Sequence, residues 1–346
     1  MTIVEATRTV TGGIDTHGEV HVAAVLDEVG VLLGTRSFPA EPDGYSALLA
    51  WLSDFGAISK VGIEGTGSYG AGVARHLARA GIKVVEVDRQ NRQARRHSGK
   101  SDPLDAVEAA RAVLSGRAQG KAKSRDGSVE AIRVLVVAKR SARAARVKAL
   151  TQMRQLTFSA PDQLQSRLKG LPITQLVAAA QGLRPTRSPD VVTAATKASL
   201  SMLAHRVADL EDEISDLDAM ITPLLEETAP ELLAVYGVGI DTAAALLVAA
   251  GDNPERLRSE AAWAHLCGVS PLEASSGKVT RHRLNRGGDR QANRALWHIV
   301  IARLASDPRT QAYMERRVKD GRSKREAIRM LKRYVAREVY RYLPRG

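Results

Sequence analysis

Between residues 10 and 88, short apolar runs of two periodicities follow one another, and their order restricts the fold more than any other feature. Val10–Asp15, Val20–Asp27 and Val31–Phe38 are β-branched or alternating runs separated by Gly-containing turns, which predicts three consecutive strands. The turn Glu41-Pro42-Asp43-Gly44 then opens a helix through Leu48, Leu49 and Leu52. Lys60–Glu64 reads as a strand, Tyr69–Ala80 as a helix and Ile82–Val87 as a strand. Two helical stretches follow, the second beginning near Pro103, a residue suited to the first turn of a helix. The order is therefore β-β-β-α-β-α-β-α.

A three-strand meander followed by α/β crossovers is the order of the ribonuclease-H-like fold, shared with Holliday-junction resolvases of the RuvC type. Beyond it the chain reads as helical. Residues 127–157 are basic, carrying Lys139, Arg140, Arg143, Arg146, Lys148 and Arg154. Pro161, Gly170, Pro172, Gly182 and Pro185 mark an interruption. Leu203, Val207, Leu210, Ile214, Leu217, Ile221 and Leu224 then alternate spacings of four and three, the seam of a coiled coil. That seam could pair with 127–157 or with another subunit. The expected architecture is α/β plus α: residues 1–118 as a RuvC-like domain, 125–228 as a helical coiled-coil segment, and 229–346 as a mainly helical C-terminal domain.

Four acids fall at telling places on this frame. Asp15 closes the first strand in Gly12-Gly13-Ile14-Asp15, and Glu64 closes the fourth in Val61-Gly62-Ile63-Glu64. Those strands are neighbours in a ribonuclease-H-like sheet, so both side chains emerge at one edge. Asp102 and Asp105 are spaced i,i+3, on one face of a helix. Clustered carboxylates repel unless a divalent cation neutralises them, and an oxygen-only set suits Mg²⁺ or Mn²⁺ over zinc. Each acid also has an ordinary reading: Asp102 as the N-cap before Pro103, Glu64 as a plain strand-end carboxylate.

Charge separates along the chain. Residues 1–88 carry 6 Lys/Arg against 11 Asp/Glu, while the whole chain is +13, leaving +18 for the remainder. An acidic unit joined to a basic one fits a protein that holds cations in one part and phosphates in the other. Arg92, Arg95, Arg96 and Lys100 precede the Asp102–Asp105 pair. Residues 278–294 add Lys278, Arg281, Arg283, Arg286, Arg290 and Arg294 against the single acid Asp289, and the stretch 316–345 has 12 Lys/Arg. Tyr236-Gly237-Val238-Gly239 resembles the hairpin of a helix-hairpin-helix motif, in which Gly237 and Gly239 would bring backbone N–H groups to a phosphate; a plain helix–helix turn is the alternative. Ser275-Ser276-Gly277 lies in a loop beside the basic run, where a serine could attack a phosphodiester, although Ser-Gly loops are common without such a role.

Gly65-Thr66-Gly67-Ser68-Tyr69-Gly70, with Glu86 about twenty residues on, matches a dinucleotide-binding fingerprint. Glu64 directly before the first glycine would oppose a pyrophosphate, and the meander that precedes it is not a βαβ unit, so this reading is set aside. Cys267 is the single cysteine, which excludes internal disulfides and thiolate zinc clusters. No apolar run is long enough to span a bilayer, and the N-terminus lacks a signal-peptide layout, so no membrane partner and a cytoplasmic, nucleoid-associated bacterial location are expected.

The chain resembles the DEDD transposases of the insertion sequence 110 family over nearly its whole length. The resemblance rests on Gly13-Ile14-Asp15-Thr16, Ile63-Glu64-Gly65-Thr66-Gly67-Ser68-Tyr69, Lys100-Ser101-Asp102-Pro103-Leu104-Asp105-Ala106, Gly237-Val238-Gly239 and Ser275-Ser276-Gly277. It implies a RuvC-like domain, a coiled-coil insert and a C-terminal transposase domain, with Asp15, Glu64, Asp102 and Asp105 as a Mg²⁺-holding acidic tetrad. It implies Ser276, with Ser275 as fallback, as a nucleophile that becomes covalently joined to DNA. It implies a site completed between subunits of a dimer or tetramer. It also implies a structured noncoding bridge RNA that pairs with donor and target DNA. A metal-only RuvC-like nuclease, in which Ser276 is a loop residue, and a non-catalytic nucleic-acid-binding scaffold are the competing readings.

Overall fold

The computed structural model of the chain describes residues 8–87, 101–185, 190–253, 256–277 and 282–344. They divide into two compact units: the first runs to Gly127 and includes Ala250–Ala262, and the second holds Ser128–Ala249 and Trp263–Pro344.

The first unit is built on a six-stranded sheet. Its strands are β1 (Thr9–Thr16), β2 (Val20–Leu26), β3 (Leu32–Pro39), β4 (Ala57–Glu64), β5 (Val84–Val87) and β6 (Gly120–Lys121). Their order is β3-β2-β1-β4-β5-β6, with β2 antiparallel to both β1 and β3, β4 and β5 parallel to β1, and β6 antiparallel to β5. Helices α1 (Pro42–Ser53) and α2 (Ala71–Arg79) follow β3 and β4, and α3 (Asp102–Leu114) follows later. Val10, Ile14, Val61 and Ile63 point to the face where Leu48, Leu52, Val73 and Leu77 of α1 and α2 close an apolar core. The alternate residues face α3, where Val22, Ala24 and Leu26 meet Ala106, Val107 and Ala110.

The β-β-β-α-β-α-β-α order and the ribonuclease-H-like frame are therefore present. β6 is an addition of two residues, too short to carry a periodic signal. The turn Gly65–Gly70 delays α2 to Ala71, later than the expected Tyr69. Glu86, the acid of the dinucleotide fingerprint, accepts the Thr66 hydroxyl at 2.6 Å and lies 3.7 Å from Arg256. A short downstream piece belongs to this unit: the Asn253 amide donates to Ala122 O at 2.7 Å and its oxygen accepts from Ser124 N at 3.3 Å.

In the second unit α4 (Ser128–Phe158) lies along α7 (Val191–Thr228). The pairing is antiparallel, since Lys139 meets Asp218 while Arg146, seven residues on, meets Glu211. Val207, Leu217 and Ile221 of the heptad series are buried within the chain. The Pro/Gly-marked stretch holds two short helices, α5 (Asp162–Leu168) and α6 (Ile173–Gln181), with Pro161 and Pro172 at their N-caps. Those prolines start helices, a role that breaker logic alone does not distinguish from a loop. Helices α8 (Pro230–Leu233), α9 (Ile240–Ala250) and α10 (Glu260–Leu266) lead to a two-stranded hairpin, β7 (Leu272–Glu273) and β8 (His282–Arg283). Helices α11 (Arg290–Ser306), α12 (Pro308–Lys319) and α13 (Lys324–Tyr340) complete it. No helix among the described residues is long and apolar enough to cross a membrane.

Candidate active site

Two glycines bring the acids towards one another. β1 and β4 are paired with Gly13 opposite Gly62 and Ile14 opposite Ile63, so Asp15 and Glu64 follow at the same level. A Cβ on Gly13 would stand 2.2 Å from Ala106 O and 2.3 Å from Ala110 N; one on Gly62 would stand 2.7 Å from Ala109 O. The backbone of α3 thus rests directly on these two positions, which side chains would push away. Two residues further along each strand, with side chains on the same face, come Asp15 and Glu64. The N-terminal turn of α3 supplies Asp102 and Asp105. The positive end of the helix dipole favours negative charge there, which offsets part of the repulsion among the acids.

Asp102 is the first residue of the helix rather than its cap. Ser101 occupies the N-cap, and its carbonyl accepts from Leu104 N and Asp105 N. The Asp102 carboxylate turns instead towards His17, whose Nε2 lies 3.4 Å from Asp102 Oδ1 and 3.1 Å from Asp15 Oδ2. Asp15, His17 and Asp102 present ligand atoms that all lie within 4.8 Å of one another, a spacing one cation can bridge. Asp15 is buried and the other two are partly exposed, so the cluster opens to solvent on one side. Glu64 and Asp105 stand outside this trio. Thr16 braces the edge by donating its hydroxyl to Glu64 O at 2.8 Å.

His17 is the residue that sequence reasoning missed. It sits just past the end of β1, in a turn closed by His17 N donating to Val20 O. A signal was there, in a histidine two residues beyond a candidate ligand. Its relevance depends on α3 approaching β1, which the chain order does not disclose. The trio that comes together is therefore mixed, two carboxylates and an imidazole.

The serine loop belongs to the second unit. β7 and β8 form the stem of a hairpin, and Ser275, Ser276 and Gly277 are exposed beyond β7, with Gly277 in the left-handed region at φ +55°. Arg283 at the end of β8, and Arg286 and Arg290 after the hairpin, are exposed. Asp289, the single acid of the run, caps α11 by accepting from Gln291 N and Ala292 N at 2.8 and 2.9 Å. Lys278 and Arg281 lie outside the described residues, as do Arg92, Arg95, Arg96 and Lys100. Cys267 is buried, and burial pushes its thiol pKa up, the reverse of what a nucleophile needs.

At the Tyr236–Ala243 turn, Gly237 adopts φ +81°, a conformation that glycine supplies without strain. Gly239 N donates to the Thr242 hydroxyl at 2.9 Å. Asp241, in the first turn of α9, reaches Lys139 at 2.6 Å and Arg143 at 2.8 Å, tying the turn to α4.

A parallel β1–β4 pair carrying carboxylates at its ends, an antiparallel β2–β3 meander and a helix resting on Gly13 and Gly62 define a ribonuclease-H-like domain. Residues 12–158 match the DEDD transposase family of IS110, described as "Transposase", and residues 229–315 match the "Transposase IS116/IS110/IS902 family". The chain belongs to the insertion sequence 110 family of DEDD transposases. It is similar to the "Insertion element IS110 uncharacterized 43.6 kDa protein" of Streptomyces coelicolor, 33% identical over 134 residues, 38% of this chain and 33% of that one. It is also similar to the "Insertion element IS900 uncharacterized 42 kDa protein" of Mycobacterium paratuberculosis, 28% identical over 137 residues, 39% of this chain and 34% of that one. The matched stretch spans about a third of the length of each of these relatives.

Proposed function

We propose that the chain cuts and rejoins DNA strands for an insertion sequence, using a divalent cation held at the Asp15–Asp102 edge and Ser276 as nucleophile. The observation that carries the metal half is the convergence of Asp15, His17 and Asp102 within 4.8 Å at the open end of the sheet. Glu64 and Asp105 complete the ligand set from the neighbouring strand end and the same helical turn. When bound, Mg²⁺ or Mn²⁺ supplies positive charge to the phosphate oxygens that gain negative charge as the phosphodiester is displaced. The carboxylates fix where that charge sits, and the N-terminus of α3 adds its own positive end.

Ser276 is supported by the family likeness and by its exposed place on a hairpin that ends at Arg283 and is followed by Arg286 and Arg290. Its Oγ forms a bond to phosphorus while the bond to the leaving sugar oxygen breaks; the serine proton passes to water and the leaving oxygen takes one up. The arginines stabilise charge on the displaced phosphate. Donor and target DNA, and a structured noncoding bridge RNA, are the partners this reading assigns to a chain of net charge +13. A homo-oligomer, dimer or tetramer, is the assembly that the family likeness suggests for this reading.

The test incubates the chain with Mn²⁺, DNA carrying the element's ends and RNA transcribed from its noncoding flank, and looks for a protein–DNA adduct on denaturing gels. The expected adduct is absent in Ser276→Ala and in Asp15→Asn. An adduct that survives Ser276→Ala refutes the serine, and strand cleavage without any adduct favours the metal-only nuclease.

A further inference from the structure

A cavity of about 810 Å³ lies within the second unit, between the segments flanking the β7–β8 hairpin and helices α12 and α13. Cations dominate its lining: Arg286, Arg290, Arg317, Arg329, Lys332 and Arg333, against the single carboxylate of Glu326. That carboxylate is already engaged, accepting from Ser323 N and Oγ in the capping box of α13. Lys332 is half-buried and donates to Asn293 Oδ1 at 2.7 Å, a neutral partner that leaves its charge uncompensated. Burial and the nearby Arg329 both press its pKa down, as expected of an ammonium lacking a counter-ion.

The remaining walls are of another kind. Val269, Pro271, Leu284 and Met330 are apolar, and Tyr334 at the rim is half exposed. Its ring meets Tyr313 edge-on at 5.5 Å, and Tyr313 in turn carries the Arg317 guanidinium 5.2 Å from its centroid. A free inorganic anion would use the cations and leave the aromatic and apolar surface idle. A hydrophobic ligand would leave the half-buried Lys332 ammonium without an anion. A nucleotide uses both, since its phosphate is an anion and its base a flat ring that stacks on tyrosine. The volume is within the usual range for a small-molecule site, about 300–1,000 Å³, and excludes a base-paired helix.

We propose that this cavity takes one unpaired nucleotide of a single strand, with its base against Tyr334 and its phosphate on Lys332 and Arg290. Ser270 and Pro271 lead into β7 and Leu284 leaves β8, so one wall of the cavity is the root of the Ser276 hairpin. An extruded nucleotide seated there fixes the path of its strand relative to the hairpin. That consequence rests on the function proposed above; the binding itself does not.

Fluorescence anisotropy at one fixed salt concentration tests it, with the full chain against eight-nucleotide single strands of thymidylate and uridylate and a duplex of equal length. Tyr334→Ala and Lys332→Met should each weaken single-strand binding about ten-fold or more, with duplex binding little changed. The tighter of the two single strands tells whether DNA or RNA supplies the nucleotide. Unchanged single-strand binding, or an equal loss on the duplex, overturns the proposal. Should either variant melt early, photocrosslinking of 5-bromouracil to the wild-type chain decides: attachment at Tyr334 or Tyr313 supports the site, and attachment elsewhere overturns it. If the serine adduct forms while Tyr334→Ala binds normally, the cavity proposal alone fails. If no adduct forms while the single-strand loss appears, the cavity stands and the serine reading fails.

Discussion

Gly13 shows how one missing side chain positions a site. Its Cβ would overlap the α3 backbone at 2.2 Å, and backbone yields far less readily than the end of a flexible side chain. Gly13→Ala should therefore displace α3, lower stability by about 1–3 kcal/mol and weaken metal binding; a melting curve and a Mn²⁺ titration on the same sample read both. Gly237 and Gly239 make the complementary case. Gly237→Ala forces a left-handed backbone on alanine and should cost about 1 kcal/mol or more, while an added Cβ on Gly239 meets nothing within 4 Å and Gly239→Ala should melt close to wild type. His17 acts at the cluster itself. His17→Ala should weaken Mn²⁺ binding about ten-fold or more, and electron spin echo spectra of bound Mn²⁺ should lose an imidazole nitrogen signal that the parent protein has. Equal nitrogen coupling in both would remove His17 from the ligand set. Asp15 and Glu64 were legible in the sequence because a strand end is marked by where its apolar run stops. His17 was not, because its partner Asp102 is 85 residues away and comes close only when α3 rests on the sheet.

Among the elements, the α4–α7 pair depends on a polar tie inside an apolar seam. Lys139 is buried on α4, bonded to Asp218 of α7 and to Asp241 at the start of α9. Both carboxylates keep substantial exposure, so water screens them and the interaction is worth less than a fully buried triad. Lys139→Ala should destabilise the chain by about 1–3 kcal/mol, read by chemical denaturation. Asp241 carries the matching pH signature. Burial pushes its pKa up, but hydrogen bonds from Lys139 and Arg143 outweigh that and hold it below the ordinary aspartate value. A depressed folded pKa contributes stability above the unfolded value that is lost as pH falls through the folded one. The acid-side loss of stability should therefore be smaller in Asp241→Asn than in the parent protein. The heptad seam made α7 legible. The helices α5 and α6 were hidden by their length and by Pro161 and Pro172, which begin a helix as readily as they end one.

Over the whole molecule, the acidic excess of residues 1–88 falls on the first five strands of the sheet, whose succession along the chain is legible from strand periodicity. What periodicity does not carry is contact between distant segments. Asn253 bonds to Ala122 and Ser124 across about 130 residues, and no local pattern near Asn253 announces it. The cavity at the hairpin root is likewise assembled from four separated stretches. The central claim concerns the sheet edge: Asp15, His17 and Asp102 meet in order to hold a divalent cation. Isothermal titration of the chain with Mn²⁺, beside the double variant Asp15→Asn/Asp102→Asn, tests it most directly. The account predicts saturable binding by the parent protein and none by the variant, whose metal-free melting temperature is no lower because removing two facing carboxylates relieves repulsion. Equal Mn²⁺ affinity in the two proteins would contradict it.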